Sequence, residues 1–195
     1  MTIFSWFAFI FWIILWGYWL ISSFHAKKSV KGKPWWSREF GIRLALVIVA
    51  IFIIRTGAFD RSSLVSYQFM LSIIPAHILP GVIGDVLCAA GVAFAIWARI
   101  YLGRNWGMPM TLREGHELVT SGPYAWVRHP IYTGFLLAVL GSAFADGSVW
   151  LVSLVLSGIY FVYSAKTEEK TMIEQFPDEY PGYMKRTKML IPFIW

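Results

Sequence analysis

At 195 residues, with 57% hydrophobic and 18% aromatic side chains but only 14% charged ones, the chain is too apolar for a water-soluble domain of its size. A net charge of +6 could suit nucleic acid, but the cations cluster at the ends of apolar runs, so membrane lipids rather than nucleic acid are the expected partner of that charge. A single cysteine, Cys88, lies inside an apolar run, which excludes a disulfide framework and a thiolate metal cluster.

The first predicted element spans about Ile3 to Phe24. It carries no charge and is long enough to cross a hydrocarbon core of about 30 Å as a helix. It lacks the basic start and small-residue cleavage site of a signal peptide, so it is read as a retained span. A basic segment with interfacial tryptophans follows, carrying Lys27, Lys28, Lys31, Lys33, Arg38 and Arg43. The second span runs from about Gly41 to Ala58, with Arg43 and Arg55 placed to snorkel. Leu64 to Leu79 is apolar but broken by Ser66, Gln68, Pro75 and His77, which makes it marginal as a crossing. The third span, Gly81 to Leu102, holds Asp85 near its start. Pro130 begins the fourth, which reaches about Ala145, and after the turn at residues 145–148 the fifth runs to about Ala165.

The positive-inside rule decides whether residues 64–79 cross. With five spans, fifteen of the seventeen cations share one face, leaving Arg55 and Arg61 opposite; with six spans the bias vanishes. The expectation is therefore an all-α polytopic membrane protein with five transmembrane helices, a cytoplasmic loop and a cytoplasmic C-terminal helix. Its N-terminus is expected outside and its C-terminus in the cytoplasm, with the inner membrane of a cell as the location. No repeat or linker divides the chain, which reads as one unit with N-terminal spans over 1–94 and a functional core over 95–195. No alternation of short strands suggests a barrel.

Most titratable groups fall in two blocks, Gly115 to Gly134 and Glu168 to Phe193, which the span count puts on the same face. His129 and Tyr132, three apart at a helix start, should share a side and aim under the preceding loop. On a helix continuing from the fifth span, Ala165, Glu168, Glu169, Met172, Ile173 and Phe176 form one stripe, so both carboxylates fall on its apolar side while Lys170 and Glu174 face away. Buried carboxylates need partners. They could be structural ion pairs with Arg99 or Arg128, or they could line a polar cofactor pocket. In the loop, Arg128, Tyr124 and Trp126 could likewise be membrane anchors only. Among the sixteen glycines no two are separated by a single residue, which removes the dinucleotide fingerprint and the glycine-rich phosphate loop.

The run His116-x-Leu118-Val119-x-x-Gly122-x-Tyr124-x-x-Val127-Arg128-His129-Pro130-x-Tyr132-x-Gly134 is followed by Glu168-Glu169 and Asp178-Glu179-Tyr180-x-x-Tyr183. Together with Arg99-x-x-Leu102-Gly103-x-Asn105-Trp106 upstream, it closely resembles the isoprenylcysteine carboxyl methyltransferase family. The resemblance covers about residues 95 to 195. It implies an integral-membrane methyltransferase that uses S-adenosyl-L-methionine and acts on a lipophilic small molecule or a prenylated substrate. It places His116, Leu118, Val119, Tyr124, Arg128, His129, Tyr132, Glu168 and Glu169 around the cofactor and Asn105 in the closing loop on the substrate side. Arg186, or Arg104, would orient the acceptor. Lys188-Met189 stands where many members carry a glycine-containing turn, and the N-terminal half has fewer spans than eukaryotic members.

Methyl transfer from a sulfonium is an in-line displacement, so positioning and exclusion of water carry most of the catalysis and no metal is needed. A carboxylate acceptor needs no base. An amine or thiol would, and His129 or a glutamate would have to supply it. Phospholipid N-methylation and thiol S-methylation are accordingly the alternatives, with a sterol-reductase-like NADPH enzyme and a non-catalytic scaffold more remote.

Overall fold

A computed structural model of the protein describes residues 3–23, 29–31, 78–103, 112–113, 117–147 and 149–194. The second predicted span, most of residues 64–79, and the site candidates Arg104, Asn105 and His116 lie outside the described residues. The described chain is helical: α1 (Ile3–Ser23), α2 (Ile78–Leu102), α3 (Pro130–Asp146), α4 (Val149–Gln175) and a short α5 (Tyr180–Arg186). Of these, α1, α2 and α4 are long and apolar enough to cross a membrane, while α3 is a shorter apolar helix of 17 residues. At 1.5 Å per residue α3 measures about 26 Å, close to the hydrocarbon thickness.

The centre of the fold is a seam of small residues. In lipid there is no hydrophobic gain from bringing two apolar helices together, so close backbone approach must supply the attraction. Gly84, Cys88, Gly91 and Ala95 form one stripe of α2, and Gly134, Ala138, Gly141 and Ala145 form the facing stripe of α3. A Cβ at Gly91 would lie 2.4 Å from the backbone nitrogen of Ala138, and one at Gly141 would lie 2.3 Å from that of Cys88. The two backbones therefore touch, and both positions exclude any side chain.

Helix α1 packs against this pair. Phe4 fills the space beside Gly81, the Trp12 indole donates to the Ser142 hydroxyl at 2.9 Å, and Ser5 donates to Asp146 at 2.6 Å. Trp12 also stacks on Trp150 at 5.7 Å, which ties in the start of α4. At the other end, the buried Arg99 guanidinium donates to the carbonyls of Gly103 at 2.7 Å and Ser22 at 2.9 Å. A cation at two helix C-termini suits both dipoles. Helices α1 and α2 thus run in the same direction, with α3 antiparallel to them.

Among the described residues the helix limits agree closely with the sequence expectation, and the helix expected to continue from the fifth span runs without a break to Gln175 as α4. One small departure from an all-helical chain is an antiparallel pair, β1 (Ser29–Lys31) with β2 (Leu112–Arg113), joining the segment after α1 to the loop after α2. Its register sets Ser29 opposite Arg113 and Lys31 opposite Leu112.

Candidate functional site

The chain enters α3 through a tight turn. Gly122, at φ +59°, holds the left-handed conformation that a side chain resists, and a Cβ there would strike the Tyr101 ring. Pro123 follows and starts a single 3-10 turn, Gly122–Ala125, which buries Tyr124. Residues 127–129 then run beside the C-terminal segment after α5, with a parallel bridge between Val127 and Lys188. The Arg128 amide donates to the Lys188 carbonyl at 2.8 Å and the His129 amide to the Met189 carbonyl at 3.1 Å. Thr133 adds a side-chain bond to the Leu190 carbonyl at 2.6 Å. Neither this parallel pairing nor α5 was expected from the sequence. The proline at N1 or N2 of α5 and the aromatic pair Tyr180 and Tyr183, one turn apart on its buried side, were the available signals.

This strap closes over a buried group of charges. Arg128 Nε meets Glu169 Oε1 at 2.6 Å, with both side chains more than nine-tenths buried. The rest of the guanidinium donates to the Met184 carbonyl at 3.3 Å and to the Thr187 carbonyl, at the C-terminal end of α5. His129 lies between the carboxylates, Nε2 at 3.3 Å from Glu169 and Nδ1 at 3.5 Å from Glu168. The Tyr132 hydroxyl donates to the other oxygen of Glu168. His129 and Tyr132 stack nearly parallel, with centroids 5.5 Å apart, and Tyr132 stacks in turn on Phe161 at 4.5 Å. The expected side-by-side placement of His129 and Tyr132 is therefore observed, and α4 delivers both glutamates to them.

Two cations and two carboxylates balance here. Burial works against charge on His129, but hydrogen bonds and charge from Glu168 and Glu169 outweigh it and raise its pKa above the ordinary histidine value. A raised folded-state pKa contributes stability that is full below the unfolded value, near 6.5, and is lost as pH rises through the folded one. Thermal melts in detergent from about pH 6 to about pH 9 should therefore show the wild type losing stability relative to His129→Gln. Parallel curves would mean that folding leaves the His129 pKa unchanged.

The other expected site residues are placed as follows. Tyr124 is buried, and its carbonyl accepts from the Tyr183 hydroxyl at 2.6 Å. Burial pushes the Tyr183 phenol up to about 12 and raises that of Tyr124 as well, so both remain protonated. Arg128 and Glu169 do form an ion pair, whereas Arg99 turns to backbone carbonyls instead. Lys170 and Glu174 face outward as expected, but Ile173, placed on the buried stripe, is 39% exposed. Leu118 and Arg186 do not touch the charge cluster. They line a separate polar pocket of about 350 Å3 beside α5, together with Thr120, Asp178, Glu179, Gly182 and Tyr183. Val119 is half-buried on the same stretch.

A helical membrane protein in which the loop before α3 and the C-terminal segment lock a neutralised set of buried charges at one end of the bundle defines the class. The family model described as phospholipid methyltransferase matches residues 80–179, more than half of the chain, and the chain belongs to that family. It is 43% identical over 84 residues to the protein-S-isoprenylcysteine O-methyltransferase of Schizosaccharomyces pombe, over 42% of this chain and 35% of that protein. It is also 29% identical over 120 residues to the cobalt-zinc-cadmium resistance protein CzcN of Cupriavidus metallidurans, over 60% and 50%. Methanethiol S-methyltransferase 1 of Bradyrhizobium diazoefficiens is 39% identical over 70 residues, covering 36% and 24%. The chain thus spans half or less of the length of each of these relatives. Among solved structures, a eukaryotic intramembrane Ras methyltransferase, isoprenylcysteine carboxyl methyltransferase, is similar at a TM-score of 0.55 and 25% identity, covering 85% of this chain and 55% of that one.

Proposed function

We propose that this protein is an integral-membrane methyltransferase, using S-adenosyl-L-methionine as donor and a lipophilic carboxylate, such as a prenylated cysteine, as acceptor. The observation that carries the reading is the occupied state of every base in the buried cluster. Both His129 nitrogens face carboxylates, Glu169 accepts from Arg128, and Glu168 accepts from Tyr132. Groups already engaged in such pairs are poor bases for an amine or a thiol, which favours an acceptor that arrives already ionised. A carboxylate meets that condition at neutral pH. This favours O-methylation over phospholipid N-methylation or thiol S-methylation.

The residues present fit the donor. The pocket beside α5 falls in the size range of small-molecule sites and offers Asp178 and Glu179 for the donor's hydroxyl or amino groups. Glu168, the member of the cluster with 24% of its side chain exposed, is the one still open to an ammonium or sulfonium. When bound, the donor supplies an electrophilic methyl group. Tyr124, Arg128, His129, Tyr132 and Glu169 would act by holding the loop, Glu168 and the strap in one geometry, with Leu118 and Val119 along the cofactor's edge. Asn105, Arg104 and His116 complete the set proposed from the family resemblance, and Arg186 or Arg104 would fork onto the acceptor carboxylate.

Membranes carrying the chain, given radiolabelled methyl donor and N-acetyl-S-farnesylcysteine, should form a base-labile methyl ester. Arg186→Ala should lower turnover while leaving S-adenosylhomocysteine affinity nearly unchanged, because its contact is to the acceptor. Label appearing only on phospholipid amines or on thiols would overturn the carboxylate reading.

We also propose a single five-span unit with its N-terminus outside. The fifteen-to-two cation split supports this, as does the parallel direction of α1 and α2, whose C-termini meet at Arg99. Parallel helices have to be joined by an odd number of crossings. An impermeant thiol reagent applied to intact cells should label a cysteine placed at Asp146 and miss one at Glu174; the reverse pattern would invert the topology.

A further inference from the structure

Helix α4 carries an unexplained glycine. Gly158 sits in the middle of a 27-residue helix, where glycine is less favourable than alanine, yet a Cβ built there would meet nothing within 4 Å. It therefore serves no close helix contact of the kind seen at Gly91 and Gly141. Around it lies a shallow trough of about 510 Å3, lined by Gly158, Ile159, Val162, Tyr163 and Lys166. The lining is almost wholly apolar except at the end towards the site, where the exposed Lys166 stands.

The direction of the trough relates it to the site. Gly158, Val162 and Lys166 follow one another at intervals of four, and Glu169 comes three further on, so a single row of α4 leads from the notch to the buried cluster. A molecule laid along that row would have its tail on Gly158, Val162 and Ile159, its polar head at the Lys166 ammonium, and its terminus one turn from Glu169. Tyr163, 53% exposed, would flank the junction of tail and head. A cation at the mouth of an apolar trough suits a molecule with a long hydrocarbon tail and an anionic head.

Resting on the methyltransferase reading above, we propose that this trough is the binding groove of the methyl acceptor, with Gly158 making room for its tail and Lys166 drawing its carboxylate towards the cluster. Lys166 is thus a positioning residue for an acidic, long-tailed acceptor. The groove selects for tail length and for negative charge together.

The test uses the full chain in detergent and a farnesylated N-acetylcysteine carrying a photoreactive diazirine on its tail, with the matching carboxamide for comparison. Illumination should label the peptide spanning residues 158–166. Gly158→Leu should abolish that labelling while preserving S-adenosylhomocysteine binding, since the open space at Gly158 lets the fold accept the larger side chain. Lys166→Met should reduce labelling by the acid at least fivefold but not labelling by the amide, and Lys166→Arg should restore it. Lys185→Met, at the exposed end of α5, should change nothing. Labelling confined to other helices, or unaltered in Gly158→Leu, would overturn the groove even if the enzyme methylates the probe. Equal labelling by acid and amide would mark the trough as a seat for bulk lipid, and cross-linked dimers at Gly158 would mark it as an interface between copies; either overturns the proposal. If the label appears as expected but no methyl ester forms, the groove stands and the assignment of acceptor falls.

Discussion

Gly141→Leu is expected to abolish the folded protein. The Cβ alone would lie 2.3 Å from the Cys88 nitrogen and 2.6 Å from the Gly84 carbonyl oxygen, and both are backbone atoms of a packed helix that cannot rotate away. Relief requires α2 and α3 to separate along their length. That would break the contacts of Gly84, Gly91, Ala95 and Ala138 and the hydrogen bond from Trp12 to Ser142. Overpacking a core commonly costs about 1–3 kcal/mol, and a backbone clash at the centre of a two-helix seam should reach the top of that range or exceed it. In a membrane no compensating apolar burial is gained, because lipid already solvates the separated faces. Gly17→Leu provides the control, since a Cβ there meets nothing within 4 Å of α1. Yield of monodisperse protein by size exclusion in detergent, with melting temperature where protein survives, reads the difference. A Gly141→Leu protein as stable as the Gly17→Leu one would show that the seam does not hold the bundle together.

The helices and most of the charge cluster were legible in the sequence because membrane physics leaves few options. Long uncharged runs must be helices, and carboxylates on an apolar stripe must find partners. The periodicity that put Glu168 and Glu169 on one side and Lys170 and Glu174 on the other depends only on a helix continuing past Ala165, which α4 does. The small-residue stripes at Gly84, Cys88, Gly91 and Ala95 and at Gly134, Ala138 and Gly141 were equally visible, as small residues spaced by three and four, but their pairing depends on which helices neighbour each other. Local patterns do not encode that. The strap was hidden for a related reason. Residues 187–190 are held by backbone atoms of Arg128 and His129 some sixty positions away, and a backbone hydrogen bond leaves no mark on side-chain pattern. For Arg128 the sequence left a membrane anchor and a partner of the glutamates both open, and its burial against Glu169 and the carbonyls of Met184 and Thr187 decides for the second.

The second large effect is expected at Arg128 and Glu169, and a pair of single variants with their combination separates folding from binding. Arg128→Met leaves Glu169 buried opposite His129 alone and removes the donors that hold Met184 and Thr187, so the strap over residues 184–190 should loosen. Breaking a buried pair from one side costs about 3–5 kcal/mol, since the remaining charge has lost its partner. Glu169→Gln leaves two cations, Arg128 and His129, facing only Glu168, and should be comparably unstable. S-adenosylhomocysteine affinity should fall more than tenfold in both, about 1.4 kcal/mol or more. The double variant Arg128→Met with Glu169→Gln removes one charge of each sign and keeps the cluster neutral. It should regain much of the lost stability, because the coupling between neighbours makes their single costs non-additive. It should not regain ligand affinity, because neither the strap contacts nor the carboxylate is restored. Hydrogen exchange across residues 184–190 together with calorimetric titration would report both quantities on the same samples. A double variant that binds S-adenosylhomocysteine like the wild type would show that the ion pair serves the fold alone, and the donor site would then have to be sought entirely in the pocket beside α5.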